Sequence, residues 1–71
     1  MTRGNFTFYL NGLPYDGADR VLLLAKEEAK RYNKPITVRC TFVDDELITH
    51  RDVEYATILP SGNLSWGTLF R

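Results

Sequence analysis

The sequence predicts a single small α+β domain in which one helix packs on one face of a mostly antiparallel, four-stranded sheet. Three observations support this fold class. One segment has helical periodicity, several segments alternate apolar and polar residues, and glycine or proline separates most of them. The predicted order is β-α-β-β-β. The length of 71 residues limits the chain to one domain, residues 1–71, and a hydrophobic content of 44% is enough for a small core.

The first predicted strand covers residues 5–10, where apolar side chains alternate with Thr7 and Tyr9. Residues 11–17 contain two glycines, a proline and an asparagine. These residue types favour turns, so we expect the chain to leave the sheet there and enter the helix.

The helix is predicted over residues 17–33, with Asp16 as its N-cap. Pro35 ends it, because the residue before a proline avoids the helical conformation. Helical spacing places one broad apolar arc on this segment, formed by Ala18, Val21, Leu22, Leu24, Ala25, Ala29 and Tyr32. Glu28 falls inside the arc, where an unpaired charge would be costly. We therefore expect it to reach the edge of the arc or to pair with a basic group, first of all Arg39.

The second strand is predicted over residues 36–43 and shows the clearest alternation in the chain. One face carries Ile36, Val38, Cys40 and Phe42. The other face carries Thr37, Arg39 and Thr41. The acidic residues 44–46 that follow are typical of a solvated turn.

Residues 47–59 predict one long strand or two short ones, kinked near residues 51–52. The next turn combines proline and glycine in the positions that a three-residue hairpin loop, residues 60–62, requires. This loop places Leu59 opposite Asn63. A four-residue loop would shift the pairing by one residue, and we prefer the shorter loop because glycine then takes the left-handed position.

The last strand is predicted over residues 64–70, and the preferred register assigns its side chains to two faces. One face carries Ala56, Ile58, Leu64, Trp66 and Phe70. The other carries Val53, Tyr55, Thr57, Leu59 and Leu69. Because Trp66 lies opposite the small Ala56, we expect it to be largely buried, with a cost of about 3–5 kcal/mol on truncation to alanine.

Charge and cysteine content exclude several classes of protein. Nine basic residues balance nine acidic ones, so no net charge attracts the chain to nucleic acid or to an anionic membrane. The single cysteine cannot form an intramolecular disulfide. No signal-peptide pattern begins the sequence, and its apolar runs are far shorter than a membrane span. We expect a soluble, cytoplasmic protein.

The sequence carries no pattern of a catalytic site. Cys40 and His50 are the only thiol and imidazole, and Cys40 belongs to the apolar face of its strand. No nucleophile elbow or phosphate-binding loop is present. We therefore predict a protein that is not an enzyme, with no catalytic residue, no cofactor and no small-molecule substrate.

The acidic turn contains residue types that bind metal ions. Five residues there could supply ligands: Asp44, Asp45, Glu46, His50 and Asp52. Their spacing matches neither a calcium-binding EF-hand loop nor a zinc-binding helix motif. A solvated turn explains the same residues, so we predict no metal ligands.

A protein-interaction module is the predicted function. One helix covers only one face of a sheet, yet large apolar residues are predicted on both faces of the last hairpin. The uncovered residues would form an apolar patch that binds another protein or a second copy in a homodimer. The candidate binding residues are Tyr9, Arg39, Tyr55 and Leu69 on the face away from the helix, and Leu23 on the outer side of the helix. We place the centre at Arg39 and Tyr55.

Nucleic-acid binding is the alternative function. Tyr9, Arg39 and Tyr55 on an open sheet face could stack bases and hold phosphates. The outer helix adds basic residues, namely Arg20, Lys26, Lys30 and Lys34. Neighbouring acidic residues neutralise that helix, and the sequence lacks the motif of RNA-binding sheets. A titration with single-stranded nucleic acid at two salt concentrations would separate the two hypotheses.

Overall fold

The computed structural model describes residues 6–71 and confirms the α+β class. Asn5, the predicted start of the first strand, lies outside the described residues. The elements are β1 (Phe6–Leu10), β2 (Leu13–Tyr15), α1 (Ala18–Tyr32), β3 (Ile36–Val43), β4 (Thr49–Ile58), β5 (Leu64–Trp66) and a 3-10 helix (Thr68–Phe70). The sheet is antiparallel and has five strands in the order β2-β1-β3-β4-β5.

The additional strand is β2, which lies where the sequence analysis predicted only a turn. Asn11 and Gly12 both have positive φ, 55° and 80°, and form a two-residue hairpin turn between paired Leu10 and Leu13. Asparagine followed by glycine is the preferred sequence for such a turn. Pro14 lies in the middle of β2, which forms one edge of the sheet, where proline is tolerated.

The helix α1 begins at Ala18, one residue later than predicted, and ends at Tyr32. Gly17 occupies the N-cap position, so the prediction of Asp16 as the cap is wrong. At the other end, Asn33 adopts a left-handed conformation with φ 53° and its backbone N–H bonds to the carbonyl of Ala29. The helix thus terminates just before Pro35, as predicted.

The helix packs closely on the sheet through small side chains. Val21, Ala25 and Ala29 are fully buried, whereas Tyr32, which the helical spacing assigned to the same arc, is 58% exposed. Alanine leaves little bulk between the helix backbone and the sheet, so α1 lies close to it. The helix lies over β3 and also contacts β1, β2 and β4, whereas β5 lies beyond it. The far edge of the sheet is left without a helix above it.

Glu28 reaches the edge of the buried arc, where it is half-buried. Both of its carboxylate oxygens accept hydrogen bonds from the Asn11 side-chain amide, at 2.9 and 2.8 Å. Its predicted partner, Arg39, lies on the other face of the sheet and pairs with Asp52 instead. The polar contact therefore joins the β1–β2 turn to the helix.

Aromatic rings cover the part of the helix-side face that α1 leaves open. We call them the aromatic cluster, which consists of Phe6, Phe8, Phe42, Tyr55, Trp66 and Phe70. Phe6 stacks on Phe42 with ring centroids 4.6 Å apart, and Tyr55 meets Phe8 edge to face at 4.8 Å. The core thus has an aliphatic half beneath the helix and an aromatic half beside it.

Two bulges interrupt the pairing of β4 with β3. The register shifts between Val38 and Arg39 and again between Cys40 and Phe42, each time with one extra residue in β4. The second shift includes Asp52, whose φ is 54°. This confirms the predicted irregularity near residues 51–52. Each bulge reverses the alternation of β4 relative to its neighbour.

The hairpin between β4 and β5 has the preferred three-residue loop. The Leu59 N–H bonds to the carbonyl of Asn63 at 2.9 Å, and Gly62 has φ 97°. Trp66 pairs with Ala56, as the register predicted. Trp66 is nevertheless 41% exposed, so the prediction that it is largely buried is wrong. The indole lies at the rim of the aromatic cluster, beyond the reach of α1.

The last strand ends at Trp66 rather than at Phe70. Gly67 is buried, and its N–H bonds to the carbonyl of Tyr55 at 2.9 Å. A Cβ at this position would lie 1.9 Å from the Glu54 carbonyl oxygen, so the close approach of the two strands requires glycine. After it, the 3-10 helix folds back and places Phe70 on the aromatic cluster.

Candidate functional site

Two of the predicted site residues lie together on the sheet face opposite α1. Tyr9 pairs with Arg39 across β1 and β3, and both alternate with buried residues. We call this surface the open face, and it comprises Tyr9, Thr37, Arg39, Thr41 and Thr57. It borders an open depression of about 410 Å³, which is also lined by Arg51 and Asp52. The predicted threonine-rich face is therefore present, with one tyrosine.

Arg39 forms an ion pair with Asp52. Its Nε donates to Oδ1 of Asp52 at 2.6 Å, and a second guanidinium nitrogen donates to the Asp52 carbonyl. The backbone N–H of Asp52 bonds in turn to the Thr41 hydroxyl at 3.1 Å. The two charged side chains are 42% and 77% exposed, so the pair contributes no more than about 1 kcal/mol. Its effect is to hold the bulge in β4 against the neighbouring strand.

Tyr55 is not part of the open face, contrary to the sequence analysis. The first bulge in β4 turns it, together with Val53, toward the helix side of the sheet. Its ring lies 4.9 Å from that of Phe70, within the aromatic cluster. Burial raises the pKa of its phenol. Tyr55 and Arg39 therefore cannot form the centre of one binding surface.

Leu69 is also displaced from the position that the sequence predicted. It belongs to the 3-10 helix and not to a strand, because the sheet pairing stops at Trp66. Its side chain is 54% exposed. Leu69 therefore lies in the short helix that follows β5 and not on a strand of the open face.

Leu23 is exposed on α1, as predicted, and borders a groove. The groove lies between the helix and the β4–β5 hairpin and has a volume of about 350 Å³. We call it the α1–β5 groove. Its lining is mostly apolar, from Leu22, Leu23, Ile58, Gly62 and Leu64, with Asp19 and Lys26 at its sides. Leu23 itself is 57% exposed.

The neighbouring strand edge is open as well. Among the described strands, only β4 pairs with β5, so the other side of β5 faces solvent. Leu64 and Trp66 project from this strand on the helix side and are 38% and 41% exposed. The register predicted from the sequence places both on one face, and that face is confirmed, but the predicted burial of Trp66 is wrong. The reason is the width of the sheet, since one helix with an alanine-rich face cannot cover five strands.

The single histidine, His50, contacts a carboxylate within the β3–β4 hairpin. Nε2 of His50 lies 2.8 Å from Oδ2 of Asp44, and the His50 ring stacks on Phe42. Backbone N–H groups of Glu46 and Ile48 bond to the other carboxylate oxygen. The hydrogen bond with His50 and these backbone bonds lower the pKa of Asp44. Across residues 6–71, ligand-type side chains do not gather in groups of three or more that could hold a metal ion.

Cys40 lies in the centre of β3 and is fully buried. Burial raises the pKa of its thiol to about 11, although the nearby charge of Arg39 acts in the opposite direction. The thiol is therefore protonated at neutral pH and shielded from reagents. It packs as a small apolar side chain.

Comparison with known proteins finds no matching family, no matching curated protein and no matching solved structure. No helix among residues 6–71 has the length and apolar character needed to cross a bilayer. The function must therefore be argued from the surface of this chain alone.

Proposed function

We propose that this protein is a non-enzymatic protein-interaction module that binds its partner at the β5 edge and the α1–β5 groove. The supporting observation is the half-exposed Trp66 on an unpaired strand edge, next to a groove bordered by the exposed Leu23. Tryptophan is among the residues that most often dominate the energy of protein interfaces. An edge strand beside an apolar groove also suits addition of a partner strand, whose side chains then enter the groove.

Exposed apolar area at the β5 edge and the α1–β5 groove can supply the free energy of binding. Covering exposed apolar surface contributes roughly 25 cal/mol per Å², so a few large side chains supply several kcal/mol. Leu23, Leu64 and Trp66 lie on or beside the same groove and strand edge, and Leu69 follows in the 3-10 helix. Single exposed leucines elsewhere, such as Leu13 on β2, are ordinary for a domain of this size.

The open face receives less support as the binding surface. It lacks Tyr55, and the charge of Arg39 is engaged by Asp52. Nucleic-acid binding remains the alternative because Tyr9 and two arginines line the depression on this face. The depression offers a single aromatic ring on which a base could stack, and the protein has no net positive charge to attract phosphates. These two facts favour the protein-interaction hypothesis.

The experiment compares two leucines of nearly equal exposure, one on α1 beside the groove and one on β2 at the opposite edge of the sheet. Leu23 on the groove is 57% exposed and Leu13 on β2 is 58% exposed. The protein and the variants Leu23→Glu and Leu13→Glu are immobilised, and the protein bound from a lysate or from added untagged copies is quantified. We expect Leu23→Glu to lose most of the binding and Leu13→Glu to retain it. Equal binding by both variants would place the interaction surface elsewhere.

The alternative function is tested on the same samples. Binding of a fluorescent single-stranded oligonucleotide is titrated at low and moderate salt with the parent protein, Arg39→Ala and Leu23→Glu. The proposed function predicts weak binding that none of these substitutions changes. Tight, salt-dependent binding that Arg39→Ala removes would favour the nucleic-acid alternative.

A further inference from the structure

We infer that the partner at the β5 edge is a second copy of this chain, added antiparallel across a two-fold axis at Ser65. This inference rests on the proposed function, since it uses the same edge and groove. It adds the identity of the partner and the register of the contact, so it predicts which backbone groups and side chains meet.

The backbone of β5 presents a short, self-complementary edge. The Leu59 N–H bonds to Asn63, and the Gly67 N–H bonds to Tyr55, both at 2.9 Å. Because bonding direction alternates along an antiparallel strand, residues 63, 65 and 67 bond toward β4. The N–H and carbonyl groups of residues 64 and 66 therefore point away from β4, toward the free edge. Pairing with a second copy about Ser65 would satisfy them with up to four hydrogen bonds.

One of these edge groups already has a weak partner. The Trp66 carbonyl accepts a hydrogen bond from Nε of Arg71 at 3.4 Å. This distance is beyond the usual range for such a bond, so a backbone donor from a second copy would replace it without large cost.

The same register brings the exposed apolar side chains together. A two-fold axis at Ser65 places Leu64 directly opposite the partner's Trp66, and the reverse pair forms on the other side of the axis. Both side chains project on the helix side, where Leu64 borders the α1–β5 groove. The partner's indole would lie at the mouth of this groove. Each copy thereby covers the apolar surface that the other exposes.

The net charge of the chain and the residues at the two sheet edges favour a closed dimer over an open chain of copies. The formal net charge is zero, so two copies do not repel each other as whole molecules. The opposite edge of the sheet is β2, where Pro14 has no N–H to donate to an added strand. Pairing of β5 with β2 in an open chain is therefore disfavoured, whereas pairing of β5 with itself is closed by symmetry.

The available area indicates a dimer that depends on concentration. The molecule exposes 5135 Å². An interface that covers about a tenth of this surface on each copy would bury roughly 1,000 Å² in total, which is near the lower limit for a specific complex. Interfaces near this lower limit are typical of weak, transient complexes, so we expect the dimer to form only at higher protein concentration.

The test places charges on the proposed axis. Ser65 is exposed and pairs with Thr57 on the face away from the helix, so a longer polar side chain fits there in the monomer. In the dimer the two copies of residue 65 would face each other at about 5 Å between Cβ atoms. The variants are Ser65→Lys and Ser65→Glu, with Ser61→Lys in the exposed hairpin loop as the matched control.

Sedimentation equilibrium measures the mass of each sample over a range of protein concentrations. We expect the parent and Ser61→Lys to rise from 8.2 kDa toward twice this mass. Ser65→Lys and Ser65→Glu should each dimerise at least about tenfold more weakly, because like charges meet at the axis. An equal mixture of the two should recover the dimer. Circular dichroism checks that every variant is folded.

Three results would overturn the inference: a parent that stays monomeric at all concentrations, dimerisation of Ser65→Lys equal to that of the parent, or no recovery in the mixture. Each leaves the proposed function open to its own test. If the parent is monomeric but still captures another protein in a manner that Leu23→Glu abolishes, the interaction module stands and only the identity of its partner changes.

Discussion

Substitution of Gly67 by alanine tests the packing of the aromatic half of the core. The added Cβ would lie 1.9 Å from the Glu54 carbonyl oxygen and 2.7 Å from its carbon. An ordinary carbon–oxygen contact is about 3.3 Å or longer, so the two backbones must separate by more than about 1 Å. Both atoms that clash with the Cβ belong to the backbone of β4, and a side-chain rotation cannot relieve the clash.

The expected cost follows from the contacts that this separation disturbs. The hydrogen bond from Gly67 to the Tyr55 carbonyl, 2.9 Å in the parent, contributes about 1 kcal/mol. Displacement of the 3-10 helix also draws the half-buried Phe70 away from Tyr55 and Phe42. Removal of a fully buried phenylalanine costs about 3–5 kcal/mol, which is an upper limit for this contribution. A partial loss brings the total to about 2–4 kcal/mol, out of roughly 3–5 kcal/mol for a domain of this size.

Thermal unfolding followed by far-UV circular dichroism measures this cost, at equal protein concentration for every variant. We expect the melting temperature of Gly67→Ala to fall by about 10–25 °C, if the variant folds at all. Gly17→Ala is the matched control, because nothing lies within 4 Å of a Cβ at that position. It should remain within about 1 kcal/mol of the parent. A Gly67→Ala variant as stable as Gly17→Ala would refute the close approach of β4 and the chain after β5.

Three further predictions concern polar and titratable groups. The free energy of unfolding should fall as the pH rises from 9 toward 11, because Cys40 ionises at its ordinary pKa when unfolded but only near 11 when folded. Urea titrations should show a steeper slope in the parent than in Cys40→Ala, in which the raised pKa of Tyr55 still contributes a slope of the same sign. The folded pKa of Asp44 is lowered mainly by its hydrogen bond with His50, so the ionised carboxylate should stabilise the fold above its ordinary pKa of 3.8. This stabilisation should be lost as the pH falls further, and thermal melts of Asp44→Asn should show a weaker loss of stability in acid than the parent. A double-mutant cycle with Asn11→Gly and Glu28→Ala should give a coupling of about 0.5–1.5 kcal/mol, and purely additive effects would contradict the hydrogen bonds between them.

Local patterns in the sequence were sufficient to predict most of the fold. Strict alternation predicted β3 with both ends correct, and proline with glycine predicted the three-residue loop and the pairing of Ala56 with Trp66. The strand β2 was missed although Asn11 and Gly12 form a typical hairpin turn. Its three residues include a proline and two exposed side chains, so no alternation marks it.

The candidate site was predicted less well, because it depends on how elements are placed relative to each other. Leu23 and its exposure follow from helical spacing, but the groove beside it depends on how much of the sheet α1 covers. Tyr55 was assigned to the wrong face because alternation was extended through a bulge. Bulges depend on backbone strain and on contacts such as the one between Arg39 and Asp52, which lie far apart in the sequence.

Each of the two bulges in β4 reverses the alternation of its side chains, so the two reversals cancel. His50, before both bulges, and Ala56, after both, are even-numbered and lie on the helix side, whereas Val53 between them is odd-numbered and lies on the same side. Each bulge therefore marks a place where β4 has one residue more than β3. Deletion of that extra residue would convert the bulge into regular pairing and leave the partners on both sides, His50 with Phe42 and Val53 with Cys40, unchanged. Deletion of a residue elsewhere in β4 would shift the register and turn the side chains beyond it to the other face.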